Sequence, residues 1–227
     1  MSADRLHSYK LLAELCDYPT SRTAATARLT AMFLEERCPE AASAIKRFVA
    51  RVDGPPLAEL EERYSAVFDF HPARTLDLGY QLFGETYKRG VFLVRMKEAA
   101  LAHAIDTAAE LPDHLPNVLR LLADLAPEEA PRDLAEEVVL PALARILSTF
   151  EDDGGGYREV LSAVKAVLMS DFGITRVEMP RPAEDPEPTG RRLPVFPGFN
   201  PPSEGGSGHR ARARDPEPHR SVKGAMS

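Results

Sequence analysis

Tryptophan is absent, aromatic residues make up only 7% of the chain, and there are two cysteines in 227 residues. With so few rings, a core has to be assembled mainly from Leu, Val, Ala and Met. Cys16 and Cys38 stand 22 positions apart, with no second pair and no C-x-x-C. That spacing signals neither a zinc cage nor an iron–sulfur cradle, so no metal site is assigned and both are expected to be reduced, partly buried thiols. Clustered basic charge is lacking too. A formal net charge of −7, from 28 Lys and Arg against 35 Asp and Glu, argues against general nucleic-acid binding. No run approaches the roughly 18 apolar residues of a membrane span, and Met1 to Lys10 has no apolar signal-peptide core. The expectation is a soluble, cytoplasmic protein with no direct membrane insertion.

What is present is helical periodicity, over residues 1–173. Leu11, Leu12, Leu15 and Cys16 form the apolar face of a first helix, stopped by Pro19. Ala25, Leu29, Met32 and Phe33 give a second; Ala41, Ile45, Phe48, Val49 and Val52 a third, closed by Asp53-Gly54-Pro55-Pro56; Leu57, Leu60, Tyr64, Val67 and Phe68 a fourth. After a break at His71-Pro72, a long helical stretch runs from Leu76 to about Ile105, with Gly84 and Gly90 marking a bend or a close helix approach. Val118, Leu119, Leu122 and Leu125 follow. Asp133 with Glu136 resembles a capping box, Pro141 predicts a kink, and Gly154-Gly155-Gly156 reads as a flexible connection before a last helix on Tyr157, Val160, Leu161, Val164 and Leu168. Strand alternation and hairpin signals are missing. The fold class is all-α: a single bundle of about eight or nine helices.

The chain divides near Gly173. Residues 174–227 hold 10 of the 20 prolines and nine Lys and Arg against seven Asp and Glu, which leaves the helical body at −9. Such a segment cannot bury enough surface to offset chain entropy, so a disordered tail is expected, read first as a spacer without function, with Pro194-Val195-Phe196-Pro197 as its only candidate docking motif.

Polar chemistry concentrates at Glu110-Leu111-Pro112-Asp113-His114-Leu115-Pro116, a break between helices. Helical neighbours diverge by about 100°, so Asp113 and His114 do not naturally form an acid–base dyad. Asp113 is instead expected to N-cap the helix that follows, with Pro116 in its first turn. Capping does not preclude binding. His71, His103 and His114 lack i,i+4 partners, and neither a phosphate-binding glycine loop nor a nucleophile elbow occurs. No catalytic residue is assigned. A small helical enzyme using Asp113 and His114, and a purely structural helical subunit, stay open as alternatives.

Three segments in order, Tyr64-Ser65-Ala66-Val67-Phe68-Asp69-Phe70, Gly84-Glu85 with Arg89-Gly90, and Glu110 to Pro116, resemble the nitrate reductase molybdenum cofactor assembly chaperones, the NarJ-type delta subunits of the wider redox-enzyme maturation chaperone family. The opening Tyr9-Lys10-Leu11-Leu12-Ala13-Glu14-Leu15-Cys16-Asp17-Tyr18-Pro19 resembles the family's start, and coverage is most of residues 9–170. The resemblance implies an all-helical chaperone, not an enzyme, that binds the N-terminal segment of the nitrate reductase alpha subunit. It would hold that subunit competent for insertion of molybdenum cofactor and an iron–sulfur cluster before membrane docking, without itself binding a cofactor stably. A chaperone for another molybdoenzyme is the alternative within the class. Carried over by position, Glu110, Pro112, Asp113 and His114 form the junction implicated in client handling, while Tyr64, Phe68, Asp69, Glu85 and Arg89 line or support a groove. Gly79, within Leu78-Gly79-Tyr80, and the long tail depart from the pattern.

Overall fold

A computed structural model describes residues 3–179 apart from 108, 127, 128 and 153; the Pro194–Pro197 motif and nearly all of the expected tail lie outside the described residues. Helices occupy Ala3–Cys16 (α1), Thr23–Leu34 (α2), Pro39–Val52 (α3), Leu57–Val67 (α4), Leu78–Phe83 (α5), Tyr87–Ala102 (α6) and Leu115–Asp124 (α7). Pro131–Leu134 (α8) runs through a π-turn at Ala135–Val139 into Leu140–Leu147 (α9), and Tyr157–Phe172 is α10. Counting α8 to α9 as one helix gives nine among the described residues, with no strand beyond an isolated bridge. The all-α expectation holds. None of these helices is long and apolar enough to cross a membrane.

α1 packs against α7, α2 and α10, and α3 lies between α2 and α10. Tyr9, Leu12, Phe48, Leu119 and Val164 are fully buried where these elements meet, and Phe92 where α6 meets α5. Each such side chain contributes roughly 1.5–3 kcal/mol relative to exposure. The apolar faces expected for α1, α7 and α10 are the buried ones.

The buried face of α2 is not the expected one. Thr23, Thr26, Ala27, Thr30, Ala31 and Leu34 point inward, while Leu29 and Met32 are 48% and 71% exposed. Small residues let α1 and α3 approach closely, and the threonine hydroxyls are satisfied: Thr30 donates to the Thr26 carbonyl at 2.7 Å and Thr26 to Glu14 at 3.0 Å. Hydrophobicity alone misjudges such a face because Thr reads as polar. Leu57, too, is on the exposed side of α4.

The stretch from Leu76 to Ile105 is two helices. Gly84, at φ 59 and ψ −153, ends α5 in a region essentially closed to other residues. Gly90 stands in open space within α6 and marks neither a bend nor a contact. No capping box forms at Asp133, because α8 starts at Pro131 behind Ala130 and has no side-chain cap. Pro141 does not end its helix; the wider π-turn before it accommodates the missing N–H. Gly154–Gly156 is packed rather than loose: a Cβ on Gly156 would sit 2.9 Å from Phe48 Cδ2.

Candidate functional site

Alternation places the central residues of the site. Residues 76–78 and 113–115 run side by side as a short bridge, with the Leu78 N–H donating to the Asp113 carbonyl at 3.1 Å and the Leu115 N–H to the Leu76 carbonyl at 2.9 Å. Side chains in extended backbone alternate between faces. Leu76, Leu78, Asp113 and Leu115 therefore go into the core, at 1% exposure or less, while Asp77 and His114 share the outer face.

Asp113 does not cap the helix that follows it. His114 holds that position and makes no side-chain cap bond. The Asp113 carboxylate reaches across the bridge instead, and its Oδ2 accepts the Gly79 N–H at 2.8 Å, in the first turn of α5. Its Oδ1 is buried with no hydrogen-bond partner. Burial, helped by the nearby Asp77 charge, pushes its carboxyl up to about 6, against the pull of the Gly79 N–H. Gly79 is what admits the carboxylate, since a Cβ there would meet Oδ2 at 2.7 Å and Phe92 Cδ1 at 2.8 Å.

On the outer face, His114 Nδ1 lies 3.3 Å from Asp77 Oδ1, and Arg89 donates to Asp77 Oδ2 at 3.3 Å. Partial burial works against the ionised Asp77, but the hydrogen bond and charge of His114, with Arg89 and Thr75, prevail and hold it below the usual carboxylate range. Asp113 and His114 thus diverge, as their adjacency implies, and His114 finds its carboxylate 37 residues away. The junction is propped from below: buried Asn117 donates to the Leu111 carbonyl at 3.0 Å and accepts from Arg120 at 3.2 Å, and Arg120 also pairs with Asp17.

The outer face opens into a cavity of about 470 Å³ lined by Asp17, Tyr18, Tyr64, Phe68, Asp69, Pro72, Thr75, Leu76, Asp77, Glu110 and His114. Its wall is an aromatic cluster in which Tyr64 meets Phe68 at 4.9 Å, Tyr18 at 5.3 Å and Tyr157 at 5.4 Å between ring centroids. The Tyr64 hydroxyl donates to the Cys16 carbonyl at 3.1 Å, tying α4 to the end of α1. Burial pushes the Tyr64 hydroxyl and the Cys16 thiol upward, so neither supplies an anion at neutral pH. A second, more open cavity of about 830 Å³ shares Asp17 and Glu110 with the first and extends it past Lys10, Arg22 and His103. No metal-ligand cluster occurs among the described residues. Rings behind and carboxylates at the rim suit a segment that is apolar and cationic by turns.

Five of the nine residues named from sequence, Tyr64, Phe68, Asp69, Glu110 and His114, come together in this wall. Asp113 lies behind it, Pro112 is half-buried outside it, and Arg89 acts through Asp77. Glu85 is exposed at the corner between α5 and α6 and outside the cavity lining. Asp17, Tyr18 and Asp77 were missed. The first two stand in the opening segment that carries the family likeness; Asp77 has no local signal, because its role depends on pairing with His114.

No protein-family model matches the chain. Over 127 residues it is 30% identical to the nitrate reductase molybdenum cofactor assembly chaperones NarJ of Escherichia coli K12 and Escherichia coli O157:H7, an alignment covering 56% of this chain. The chain spans about half the length, 51%, of the curated relatives it matches. Over that shared half, the helical chain with its Glu110–Pro116 junction is similar to the molybdenum cofactor assembly chaperones of nitrate reductase.

Proposed function

We propose that this protein is a molybdoenzyme assembly chaperone that binds the N-terminal segment of a nitrate reductase alpha subunit in the cavity between α1, α4 and the 76–78/113–115 bridge. The observation that carries the reading is the convergence of Tyr64, Phe68, Asp69, Glu110 and His114, from two separate family-like segments, on one wall. The mechanism follows from that wall. An amphipathic client segment lays apolar side chains on the Tyr18–Tyr64–Phe68 cluster. Its Lys or Arg residues face Asp69 and Glu110, neither of which is paired with a cation among the described residues. His114, fixed by Asp77, offers its remaining ring nitrogen to a client carbonyl or carboxylate.

Occupied in this way, the client's N-terminus is withheld from premature docking while its cofactors are inserted in the cytoplasm. The chaperone supplies no chemistry of its own and binds the client, with molybdenum cofactor and iron–sulfur cluster as cargo delivered to that client. The similarity to NarJ supports nitrate reductase over another molybdoenzyme as the client.

Calorimetry with a synthetic N-terminal peptide of the alpha subunit from the same organism tests the proposal. Micromolar or tighter binding, weakened at least tenfold by Glu110→Lys, is expected. Absence of heat and of competition would overturn it. A pull-down from cells lacking molybdenum cofactor should enrich the apo alpha subunit; enrichment of a different apo-molybdoenzyme would reassign the client.

A further inference from the structure

The cavity has a candidate occupant within the same chain. We propose that Arg191-Arg192-Leu193-Pro194-Val195-Phe196-Pro197 binds the cavity in cis as a pseudo-client, so that a true client must displace it; this rests on the cavity being the client site.

Charge complementarity is the first argument. The cavity is lined by Asp17, Asp69, Asp77 and Glu110 and by no Lys or Arg, and Asp69 and Glu110 have no cationic partner among the described residues. In a chain whose helical body is acidic, Arg191-Arg192 places two guanidinium groups immediately before an apolar stretch. Guanidinium groups match carboxylates in a bidentate way and stack on aromatic faces, and this cavity presents carboxylates beside the half-exposed ring of Tyr18.

Backbone preference is the second. Prolines at 194 and 197 bias the segment toward an extended, polyproline-like backbone, which loses little entropy on docking against an aromatic-lined groove. Tyr18, Tyr64 and Phe68 form such a wall, with room in about 470 Å³ for Phe196 and one arginine.

Reach is the third. Tyr157, at the start of α10, packs on Tyr64 and Phe68 with centroids 5.4 and 5.2 Å apart, so that end of α10 adjoins the cavity. α10 has 16 residues, about 24 Å. The chain leaves its far end at a fixed point, where Arg132 bonds the Phe172 carbonyl and Ile174 is buried. From Met179, the last described residue, the twelve residues to Arg191 can span about 40 Å, enough to return along the helix. Tethering at this length gives an effective concentration of about 1 mM, so a contact with a Kd of about 0.1 mM, measurable between separate molecules, is about nine-tenths formed in cis.

The test uses the full chain and a full-chain R191E/R192E variant, with two labelled probes: a peptide of residues 189–200 and the alpha-subunit N-terminal peptide. If the segment occupies the cavity, the variant binds both probes about tenfold more tightly than the wild type, as expected when about 1 mM of internal competitor is removed. Adding Glu110→Lys to the variant abolishes binding of the 189–200 probe. Equal affinity of the two chains for that probe, or no binding by either, overturns the proposal. If the alpha-subunit peptide then binds both chains equally, the client reading stands without the pseudo-client. If only the 189–200 probe binds, and does so tenfold better to the variant, the tail interaction stands and the client reading fails. The substitutions lie outside residues 3–179, and matching thermal melts confirm that the fold is unaltered.

Discussion

The Asp113 carboxylate caps α5, accepting the N–H of Gly79, 34 residues earlier in the chain, at 2.8 Å. Gly79 allows this only because it lacks a side chain. Gly79→Ala should therefore destabilise the protein by about 1–2 kcal/mol net through overpacking, although Ala is ordinarily favoured over Gly in a helix by about 1 kcal/mol. Chemical denaturation checks the sign; a neutral or stabilising result would mean that the carboxylate and Phe92 yield without cost.

The same carboxylate should make stability depend on pH. Its folded-state value of about 6 lies above the ordinary 3.8, so the folded protein binds the extra proton and the stabilisation is present below about pH 4. It is lost as pH rises through 6. Asp77 works in the opposite direction, since its depressed value stabilises above the ordinary carboxylate range and is lost on acidification. Asp113→Asn keeps an acceptor for Gly79 and cannot ionise. Between pH 5 and 7.5 the wild type should lose about 1–1.5 kcal/mol that the Asn variant keeps. Parallel melting curves at the two pH values for both proteins would exclude this.

His114→Ala should separate binding from folding. His114 makes no cap bond to α7, and Asp77 retains Arg89 when the ring is removed. Helix content should be unchanged and stability should fall by no more than about 1–1.5 kcal/mol. Nitrate reductase assembly should nonetheless drop several-fold. A large fall in melting temperature would instead assign His114 a structural role.

Tyr64→Phe should give the converse. Loss of the buried hydroxyl's bond to the Cys16 carbonyl, 3.1 Å long, should cost about 1–2 kcal/mol. The ring wall of the cavity remains, so affinity for the alpha-subunit peptide should change less than twofold. A tenfold loss of affinity would show that the hydroxyl itself takes part in binding.

The helical class and the breaks at Pro19, Asp53–Pro56 and His71-Pro72 were legible in the sequence because they rest on local periodicity and turn residues, and five of the nine candidate residues line the cavity. Leu11, Leu12 and Leu15, or Val118, Leu119 and Leu122, can hide their apolar stripe in only one way. The errors share a cause. The buried face of α2 was set by how closely α1 and α3 approach, which favours Ala and Thr over Leu29 and Met32. Asp113 follows a strong local rule for helix caps, yet its side chain faces the core because the bridge to residues 76–78 fixes its side of the chain.

By itself, then, the sequence determined an all-helical body and its apolar stripes, since helix formation and apolar patterning act over a few residues. The tertiary structure alone decided that Asp113 caps α5 across Gly79, that His114 pairs with Asp77, and that Asp17 and Tyr18 complete the cavity. Those choices depend on short-range contacts between segments distant in sequence, and such contacts exist only once the core has packed.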